Sequence, residues 1–389
     1  MTSTFDPLGT SELIGESYRR YLRSLLPVRD TRLAAALDQE ISQSPLTKGP
    51  LLESAPPYEH GATLADLVAC GVLNPEFQRL ASPALPMERP LYRHQEQAIR
   101  KITAGRNVIV ASGTGSGKTE SFLLPILDAL SAEQAAGTLS PGVRALLLYP
   151  MNALANDQIK RLRQVLAPAP HIIFGRYVGD TPHTAREAAE KFAVLNPGEP
   201  RLPNELLSRA EMRETPPHLL LTNYAMLEYL LLRPADIDLF EGAYGGHWSF
   251  IVVDEAHVYD GAKAAEVAML LRRLRDRVAT GRPLRCIATS ATVGDDPGSV
   301  TTFAQQLFDA DFEWFADDES RQDLIRATRR RMPEGPFWGP LDPASYLFIA
   351  RSDDPAAELL RLAEAQGVTG HRDAATTFAH ELRIAQLRG

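Results

Sequence analysis

Cysteine is nearly absent from this sequence. The 389 residues include only Cys70 and Cys286, and neither lies in a CxxC pair or beside a cluster of histidines. This scarcity argues against a disulfide framework and against a cysteine-based metal site. Both thiols are expected to be reduced and buried as small core residues.

Long apolar runs and an excess of positive charge are also missing. No apolar segment approaches the ~20 residues that span a bilayer, and the N-terminus lacks the pattern of a signal peptide. We therefore expect a soluble, cytoplasmic protein with no membrane partner. Lys and Arg number 41 against 49 Asp and Glu, a net charge of −8, which argues against a uniformly basic surface. Nucleic-acid binding stays open, because it needs only a local basic groove.

The length is sufficient for two or three compact units. Residues 1–90 predict a helical accessory region, with helical patterns at 14–25, at 31–41 and from Thr63 onward, and with proline-containing linkers at 45–57 and 83–90. Residues 91–292 predict one α/β domain, interrupted by a charged insertion at 182–218. Residues 293–389 predict a mixed, mostly helical segment.

Short apolar runs alternate with helical patterns in the α/β region. The predicted strands are 107–111, 143–149, 171–174, 219–222, 250–253 and 284–289, and the helices between them include 156–165 and 263–277. Continuous apolar strands that alternate with helices are typical of a parallel sheet covered on both faces.

A glycine-rich turn joins the first of these strands to a helix. NVIVA is followed by SGTGSGKT and then by ESFLLPILDAL. Glycines let backbone N–H groups surround a phosphate, and strand–turn–helix is the context that such a loop requires. Lys118 is predicted to reach the β- and γ-phosphates of ATP, and Thr119 to coordinate Mg²⁺. The predicted nucleotide-binding residues are Ser112, Gly113, Thr114, Gly115, Ser116, Gly117, Lys118 and Thr119.

Ser112 departs from the strict loop pattern, which has glycine at this position. A small residue is still expected to fit there. The alternative interpretation of the whole segment is a glycine-rich turn with a chance Lys–Thr pair.

Two adjacent carboxylates end another apolar strand. Asp254 and Glu255 follow FIVV and precede Ala256 and His257. Asp254 is predicted to hold Mg²⁺ through water, and Glu255 to orient and polarise the water that attacks the γ-phosphate. A solvated acidic turn is the alternative, which the phosphate loop upstream disfavours.

Seven short motifs occur in a fixed order. They are HQ (94–95), GTGSGKT (113–119), YPMNALANDQ (149–158), GRYVGDT (175–181), LLLTNYAML (219–227), DEAH (254–257) and SAT (290–292). This ordered set resembles the first RecA-like domain of the superfamily 2 DEAD/DEAH-box helicases, over about half of the chain. The longer segment DEAHVYDGAKAAEVAMLLRRLRD is similar to the Hrq/MrfA-like DNA helicases, and also to the large helicases of bacterial anti-phage systems such as DISARM and Druantia.

The resemblance implies ATP and Mg²⁺ as cofactors. It implies that Gln95 reads the adenine edge, which an amide can pair with; a surface glutamine on a helix is the alternative. It also implies that His257 links the nucleotide site to Ser290 and Thr292.

The resemblance further implies a single-stranded nucleic acid as partner, with DNA favoured by the finer similarity. The residues implied to contact its sugar-phosphate backbone are Pro150, Asn152, Leu154, Arg176, Thr181 and Thr222. Other basic residues are open to either interpretation. Lys160, Arg161 and Arg163 either extend this footprint or form a solvated helix face. The solvated face is favoured for Arg272, Arg273, Arg275 and Arg277, and for the basic run 329–331.

Helicases of this type hydrolyse ATP between two RecA-like domains, and the second supplies arginine fingers. No QxxGRxxR-like segment follows Thr292. We therefore expect the N-terminal portion of a longer ATP-dependent helicase or translocase, active in phage defence or genome maintenance. A separate partner chain that supplies the second domain is the alternative. The isolated chain is expected to bind nucleotide but to hydrolyse it very slowly.

A nucleotide-gated nucleic-acid-binding module that recruits partners without unwinding is the competing hypothesis for function. The intact Lys118, Asp254 and Glu255 favour a hydrolysing enzyme, because a pure binding module has no need of them.

Overall fold

The computed structural model describes residues 7–25, 27–43, 57–113, 115–278, 283–330, 345, 348–349 and 351–365. The chain forms two compact units. One is Tyr58–Arg329, and the other comprises Met1–Pro57 and Arg330–Gly389. In the second unit the described helices are α1 (Pro7–Leu25), α2 (Thr31–Gln43) and α13 (Pro355–Ala365).

An eight-stranded sheet forms the centre of the Tyr58–Arg329 unit. Its strands are β3 (Val108–Ala111), β4 (Ala145–Tyr149), β5 (Phe174–Arg176), β6 (Glu205–Leu206), β7 (Leu219–Asn223), β8 (Phe250–Val253), β9 (Arg285–Ser290) and β10 (Leu324–Arg326). Their order is β10-β3-β9-β8-β4-β7-β5-β6, and every neighbouring pair is parallel. The carboxyl ends of all eight strands therefore lie along one edge.

Smaller elements and helices complete this unit. A separate antiparallel pair joins β1 (His60–Thr63) to β2 (Pro90–Tyr92). The helices are α3 (Leu64–Ala69), α4 (Arg93–Thr103), α5 (Lys118–Ala135), α6 (Asn152–Leu166), α7 (Ala185–Leu195), α8 (Arg209–Glu214), α9 (Tyr224–Leu232), α10 (Gly242–Gly245), α11 (Gly261–Val278) and α12 (Pro297–Phe308). None of the helices in the described part of the chain combines the length and apolar character that a membrane span requires.

Both faces of the sheet are buried, because successive strand residues point to opposite sides. Leu147 and Val252 pack with α3, α4, α5 and α6 on one face. Leu146 and Ile251 pack with α9, α11 and α12 on the other. The predicted parallel α/β fold is confirmed.

Three strands differ from the sequence prediction. The strand expected at 171–174 is β5, which begins at Phe174, because the carbonyl of Ile172 accepts a hydrogen bond from the Asn204 side chain at 2.9 Å. The strands β6 and β10 were not predicted, since neither has an apolar run of its own. β6 lies in the 182–218 insertion and pairs with β5, so the insertion extends the sheet.

The compact unit is wider than the predicted 91–292 domain at both ends. At its N-terminal side it includes β1, α3 and β2. At its C-terminal side β10 pairs with β3, and Arg106 forms hydrogen bonds to both carboxylate oxygens of Asp323, at 2.7 and 2.9 Å. Residues 293–329 thus belong to the sheet domain.

The two cysteines lie in different environments. Cys286 is buried in β9, as expected, whereas Cys70 is exposed. The expectation of burial was wrong for Cys70 because it lies at the C-cap of α3, past the residues Leu64, Leu67 and Val68 that face the core.

His218 precedes β7 and is buried as a neutral imidazole. Its Nδ1 accepts a hydrogen bond from the Ile173 N–H at 3.0 Å, and its Nε2 lies 3.2 Å from the Ser140 carbonyl oxygen. Burial, followed by the nearby Arg144 charge, lowers the pKa of His218 from 6.5 to about 4. Between these two values the unfolded chain binds a proton that the folded chain does not.

We therefore expect the free energy of unfolding to fall as the pH decreases from 6.5 to 4, with His218 contributing roughly 3 kcal/mol of this loss. Urea denaturation across this range should give a shallower pH dependence for His218→Gln than for the wild type. His60→Gln, which removes an exposed histidine, provides the matched control substitution. Parallel curves for wild type and His218→Gln would contradict the assignment.

Candidate functional site

The carboxyl ends of β3, β8 and β9 bring the predicted nucleotide-binding residues together. These three strands are neighbours, with β9 between the other two. The Ser112 N–H donates to the Ser290 carbonyl oxygen at 3.0 Å, which joins the start of the phosphate loop to the end of β9. The phosphate loop and the carboxylate pair, distant in sequence, therefore form one site.

The phosphate loop has the backbone that glycine permits. Gly115 and Gly117 have φ values of 74° and 73°, a left-handed conformation that costs other residues ~1–2 kcal/mol. Ser112 fits the loop and uses its hydroxyl, which lies 2.5 Å from the Ser116 hydroxyl oxygen. The departure from glycine at Ser112 thus adds a hydrogen bond across the loop. Thr114 lies outside the described residues.

Lys118 opens helix α5 and points at the carboxylate pair. Its Nζ lies 2.9 Å from Glu255 Oε1 and 3.1 Å from Oε2, and only 8% of its side chain is exposed. Thr119 follows it, half-buried in the first turn of the same helix. The N-terminus of α5 and the ammonium of Lys118 together favour an anion at this position.

Asp254 and Glu255 are both held by Thr289, a residue that the sequence analysis missed. The Thr289 hydroxyl donates to Asp254 Oδ1 and accepts from the Glu255 N–H at 3.1 Å. Burial raises the pKa of Asp254, the adjacent Glu255 charge adds to this, and the Thr289 hydrogen bond and Lys118 oppose it. The carboxylate of Asp254 and the hydroxyl of Thr119 are the hard oxygen donors that suit Mg²⁺.

Glu255 has a left-handed backbone, with φ of 50°. This is uncommon for a residue other than glycine, and such strain concentrates at functional positions. His257 Nδ1 lies 3.4 Å from Glu255 Oε2 and 3.2 Å from the Ser290 hydroxyl oxygen. The Ser290 hydroxyl in turn donates to the Thr292 carbonyl. The structure therefore brings Glu255 together with the three residues predicted to couple the site.

Gln95 lies beneath the phosphate loop. Its side-chain oxygen accepts from the Tyr92 N–H at 2.8 Å, and its nitrogen donates to the Gly117 carbonyl at 2.8 Å. Only 4% of Gln95 is exposed, so the alternative of a surface glutamine is wrong. His94 supports the loop in the same way, with Nε2 3.1 Å from the Ser116 carbonyl oxygen. Adenine recognition by Gln95 stays a prediction.

Gly117 is constrained by packing as well as by its backbone. A Cβ there would clash with Gln95 Nε2, whereas a Cβ at Gly115 would meet none of the described residues outside its chain neighbours within 4 Å. We expect both Gly115→Ala and Gly117→Ala to lose ~1–2 kcal/mol through the left-handed backbone. Gly117→Ala should lose a further ~1–3 kcal/mol through overpacking against Gln95.

Urea denaturation of these two matched variants separates the two costs. A larger loss of unfolding free energy in Gly117→Ala than in Gly115→Ala supports the packing described. Equal losses would show that Gln95 moves aside without cost.

The residues implied to contact nucleic acid lie farther along the same edge of the sheet. Pro150, Asn152 and Leu154 follow β4, Arg176 and Thr181 lie at and after the end of β5, and Thr222 lies near the end of β7. The strands β4, β7 and β5 are consecutive neighbours, and β4 adjoins β8 of the nucleotide site. The Asn223 side chain, which the sequence analysis missed, donates to the Asn152 side-chain oxygen at 2.7 Å and joins two of these segments.

Thr181 and Thr222 are buried, and their hydroxyls form hydrogen bonds with the backbone of residues 176–178. The Thr222 hydroxyl donates to the Tyr177 carbonyl at 2.6 Å. The Thr181 hydroxyl donates to the Arg176 carbonyl at 2.9 Å and accepts from the Val178 N–H at 2.9 Å. The two hydroxyls therefore shape the loop that begins at Arg176, and contact of Thr181 and Thr222 with nucleic acid stays a prediction.

Two of the basic residues on α6 have structural partners. Arg161 pairs with the buried Glu120 of α5, which also lies 3.3 Å from Arg89. Arg163 donates to both carboxylate oxygens of Glu205, at 2.8 and 2.9 Å. Of the three, Lys160 alone is exposed, so the footprint interpretation stays open for it.

The arginines of α11 contact their own surface in part. Arg275 donates to the carbonyls of Phe308 and Asp309, and Arg277 lies 3.7 Å from Glu241. Arg272 lies 3.9 Å from Asp309, and Arg273 is exposed. In the other basic run the Arg329 guanidinium lies 4.4 Å from the centre of the Tyr58 ring, and residue 331 lies outside the described residues.

The relatives that are similar to this chain include a Druantia protein and two ATP-dependent helicases. The Druantia protein DruE of Escherichia coli (strain UMEA 4076-1) is 30% identical over 416 residues, an alignment that covers 84% of this chain and 22% of that protein. The ATP-dependent helicase hrq1 of Schizosaccharomyces pombe is 30% identical over 52% of this chain and 16% of its own length. The uncharacterized ATP-dependent helicase YprA of Bacillus subtilis is 29% identical over 53% of this chain and 23% of its own length. The chain thus spans about a fifth of the length of these relatives.

The crystal structure of the DUF1998 helicase MrfA bound to DNA aligns with this chain at 23% identity and a TM-score of 0.49. The alignment covers 70% of this chain and 29% of the MrfA chain. The family model of the DEAD/DEAH box helicases matches residues 92–300, more than half of the chain. The matched segment contains the phosphate loop, the carboxylate pair and all of the strands that place them, and this protein therefore belongs to the DEAD/DEAH box helicase family.

Proposed function

We propose that this chain is the ATP-binding portion of an ATP-dependent nucleic-acid helicase or translocase. The observation that carries the proposal is the convergence of Lys118, Asp254 and Glu255 at the end of three adjacent parallel strands. The residues implied to contact a single strand lie on the next strands of the same edge. In this proposal one sheet carries both the ATP site and the strand-binding site.

The pairing of Lys118 with Glu255 suggests how ATP prepares hydrolysis. In the structure the Lys118 ammonium lies against the Glu255 carboxylate. When the triphosphate enters, Lys118 moves to its β- and γ-oxygens, and Glu255 is released to orient the attacking water. Thr119 and Asp254 would hold Mg²⁺, which neutralises charge on the phosphates. The His257 ring contacts both Glu255 and Ser290. A movement of the Glu255 side chain would therefore be transmitted through His257 to Ser290.

Turnover is proposed to need a second RecA-like domain, in the same longer protein or in a partner chain. Such a domain supplies the arginine fingers that raise the rate by ~10³–10⁵ in related phosphoryl-transfer enzymes. The proposed nucleic acid is single-stranded DNA, and the proposed biological process is phage defence or genome maintenance. The similarity to a Druantia protein supports the first setting, and the similarity to hrq1 supports an ATP-dependent helicase.

The test measures phosphate release by the chain alone and by a protein that contains it with a second RecA-like domain. Each is assayed with single-stranded DNA, with single-stranded RNA and with neither. The proposal predicts slow turnover by the chain alone and stimulation by DNA when both domains are present. If neither polymer stimulates turnover, the motor assignment fails, and stronger stimulation by RNA would overturn the choice of DNA.

A further inference from the structure

Arg209 is a buried cation in the 182–218 insertion. It is the first residue of α8, and only 6% of it is exposed. Its neighbours Arg201 and Arg213 pair with the carboxylates of Glu211 and Asp236. Within the described ranges Arg209 forms no such salt bridge. A buried charge without a counter-ion is unfavourable unless hydrogen bonds satisfy it, so the hydrogen-bond partners of Arg209 are informative.

Those partners are backbone carbonyls of a single loop. Arg209 Nε donates to the Thr181 oxygen at 3.0 Å, and Nη2 donates to the Gly179 oxygen at 2.8 Å and lies 3.5 Å from the Val178 oxygen. The guanidinium carbon also lies 5.6 Å from the centre of the Tyr177 ring. The guanidinium therefore fixes most of the loop 176–181 from its buried side.

The other side of the same loop carries a cluster of charge, in which 19% of the Arg176 side chain and 53% of the Asp180 side chain are exposed. Arg176 lies 3.2 Å from Asp180, and Lys191 of α7 lies 2.9 Å from the Asp180 carboxylate and 2.7 Å from its carbonyl oxygen. Two cations thus share one carboxylate that is half exposed. Both Lys191 and Arg209 belong to the insertion, which therefore holds the loop from both sides.

We propose that Arg209 is a positioning residue for single-stranded nucleic acid. The insertion uses its guanidinium to hold loop 176–181 in the conformation that presents Arg176 to a backbone phosphate. Lysine is not equivalent here, because only the planar fork of arginine reaches several carbonyls at once. This inference rests on the proposed function, since it deepens the assignment of that loop to strand binding.

The experiment titrates a fluorescent oligothymidylate into the full wild-type chain and into the Arg209→Lys, Arg209→Met and Arg201→Met variants. Arg201 is the matched control, because it lies in the same insertion and pairs with Glu211, away from the loop carbonyls. Loss of the charge-assisted hydrogen bonds should raise the Kd about tenfold in Arg209→Met and about threefold in Arg209→Lys. Arg201→Met should stay within about twofold of wild type.

Two further readouts separate positioning from a general loss of structure. The affinity for a fluorescent ATP analogue should be unchanged in both Arg209 variants, since β9, β8, β4 and β7 lie between β3 and β5. In both Arg209 variants the slope of log Kd against log salt should decrease by about 1, the value expected for the loss of one phosphate contact. This decrease is expected even though the buried Arg209 itself touches no phosphate. A purely structural role would leave this slope unchanged.

Binding by both Arg209 variants as tight as that of Arg201→Met would overturn the inference and leave the proposed function standing. Parallel loss of ATP and oligothymidylate affinity would also overturn it, because it would show a general structural role. If Arg209→Met fails to fold, the same comparison with Arg209→Lys decides. Absence of oligothymidylate binding by the wild type would overturn both the inference and the assignment of strand binding.

Discussion

Replacing Lys118 with methionine is expected to weaken ATP binding by at least about 100-fold. The substitution removes the ammonium that lies 2.9 Å from Glu255 at the mouth of the phosphate loop. The triphosphate then loses a cation and meets two carboxylates. A 100-fold loss of affinity corresponds to ~2.8 kcal/mol, which lies within the ~1.5–3 kcal/mol that a hydrogen bond to a charged group contributes.

Competition between ATP and a fluorescent analogue measures this effect. Lys160 provides a matched control, because Lys160→Met also removes one positive charge but does so on the exposed surface of α6. We expect Lys160→Met to bind ATP like the wild type. Wild-type ATP affinity in Lys118→Met would show that Lys118 is only a structural partner of Glu255.

Replacing Glu255 with glutamine is expected to reduce ATP turnover by ~10²–10⁴ while ATP binding stays within a few-fold of wild type. Glutamine keeps the size of the side chain and an oxygen that accepts from Lys118, but it loses the negative charge that polarises water. The backbone of Glu255 is held by its N–H bond to Thr289, which the substitution leaves intact. The loss should therefore appear in turnover.

Single-turnover phosphate release, measured with a second RecA-like domain present, separates these steps. Glu266→Gln is the matched control, because Glu266 lies exposed on α11 and away from the site. Turnover by Glu255→Gln at the wild-type rate would show that another group activates the water. An equal loss of binding and turnover would show that Glu255 serves mainly to hold Lys118.

Sequence patterns suffice to predict that Lys118 and Glu255 lie together, because each of the two segments has a local signature. The phosphate loop and the Asp254–Glu255 pair each follow a short apolar strand directly, and each has a recognisable sequence motif. The fixed order of motifs then relates the two. Lys118 and Glu255 accordingly lie within hydrogen-bonding distance in the structure.

Other features depend on packing between distant segments and leave little trace in the sequence. Thr289 is one of several small residues at a strand end, and only the adjacency of β8 and β9 reveals that it holds both carboxylates. The strand β10 has only three residues, and only its pairing with β3 identifies it as part of the sheet.

Arg209 is another feature that the sequence alone does not reveal. In the sequence it is one charge among many in an insertion, and its role emerges from the carbonyls that surround it. The same limitation applies to Thr181 and Thr222, whose hydrogen bonds to the loop backbone leave no trace in the sequence.

A calorimetric titration of the 389-residue chain with a non-hydrolysable ATP analogue tests the central claim most directly. The account predicts binding at one site that depends on Mg²⁺, because Thr119 and Asp254 would hold the metal beside the phosphates. Absence of binding, or binding of equal affinity with and without Mg²⁺, would contradict the account.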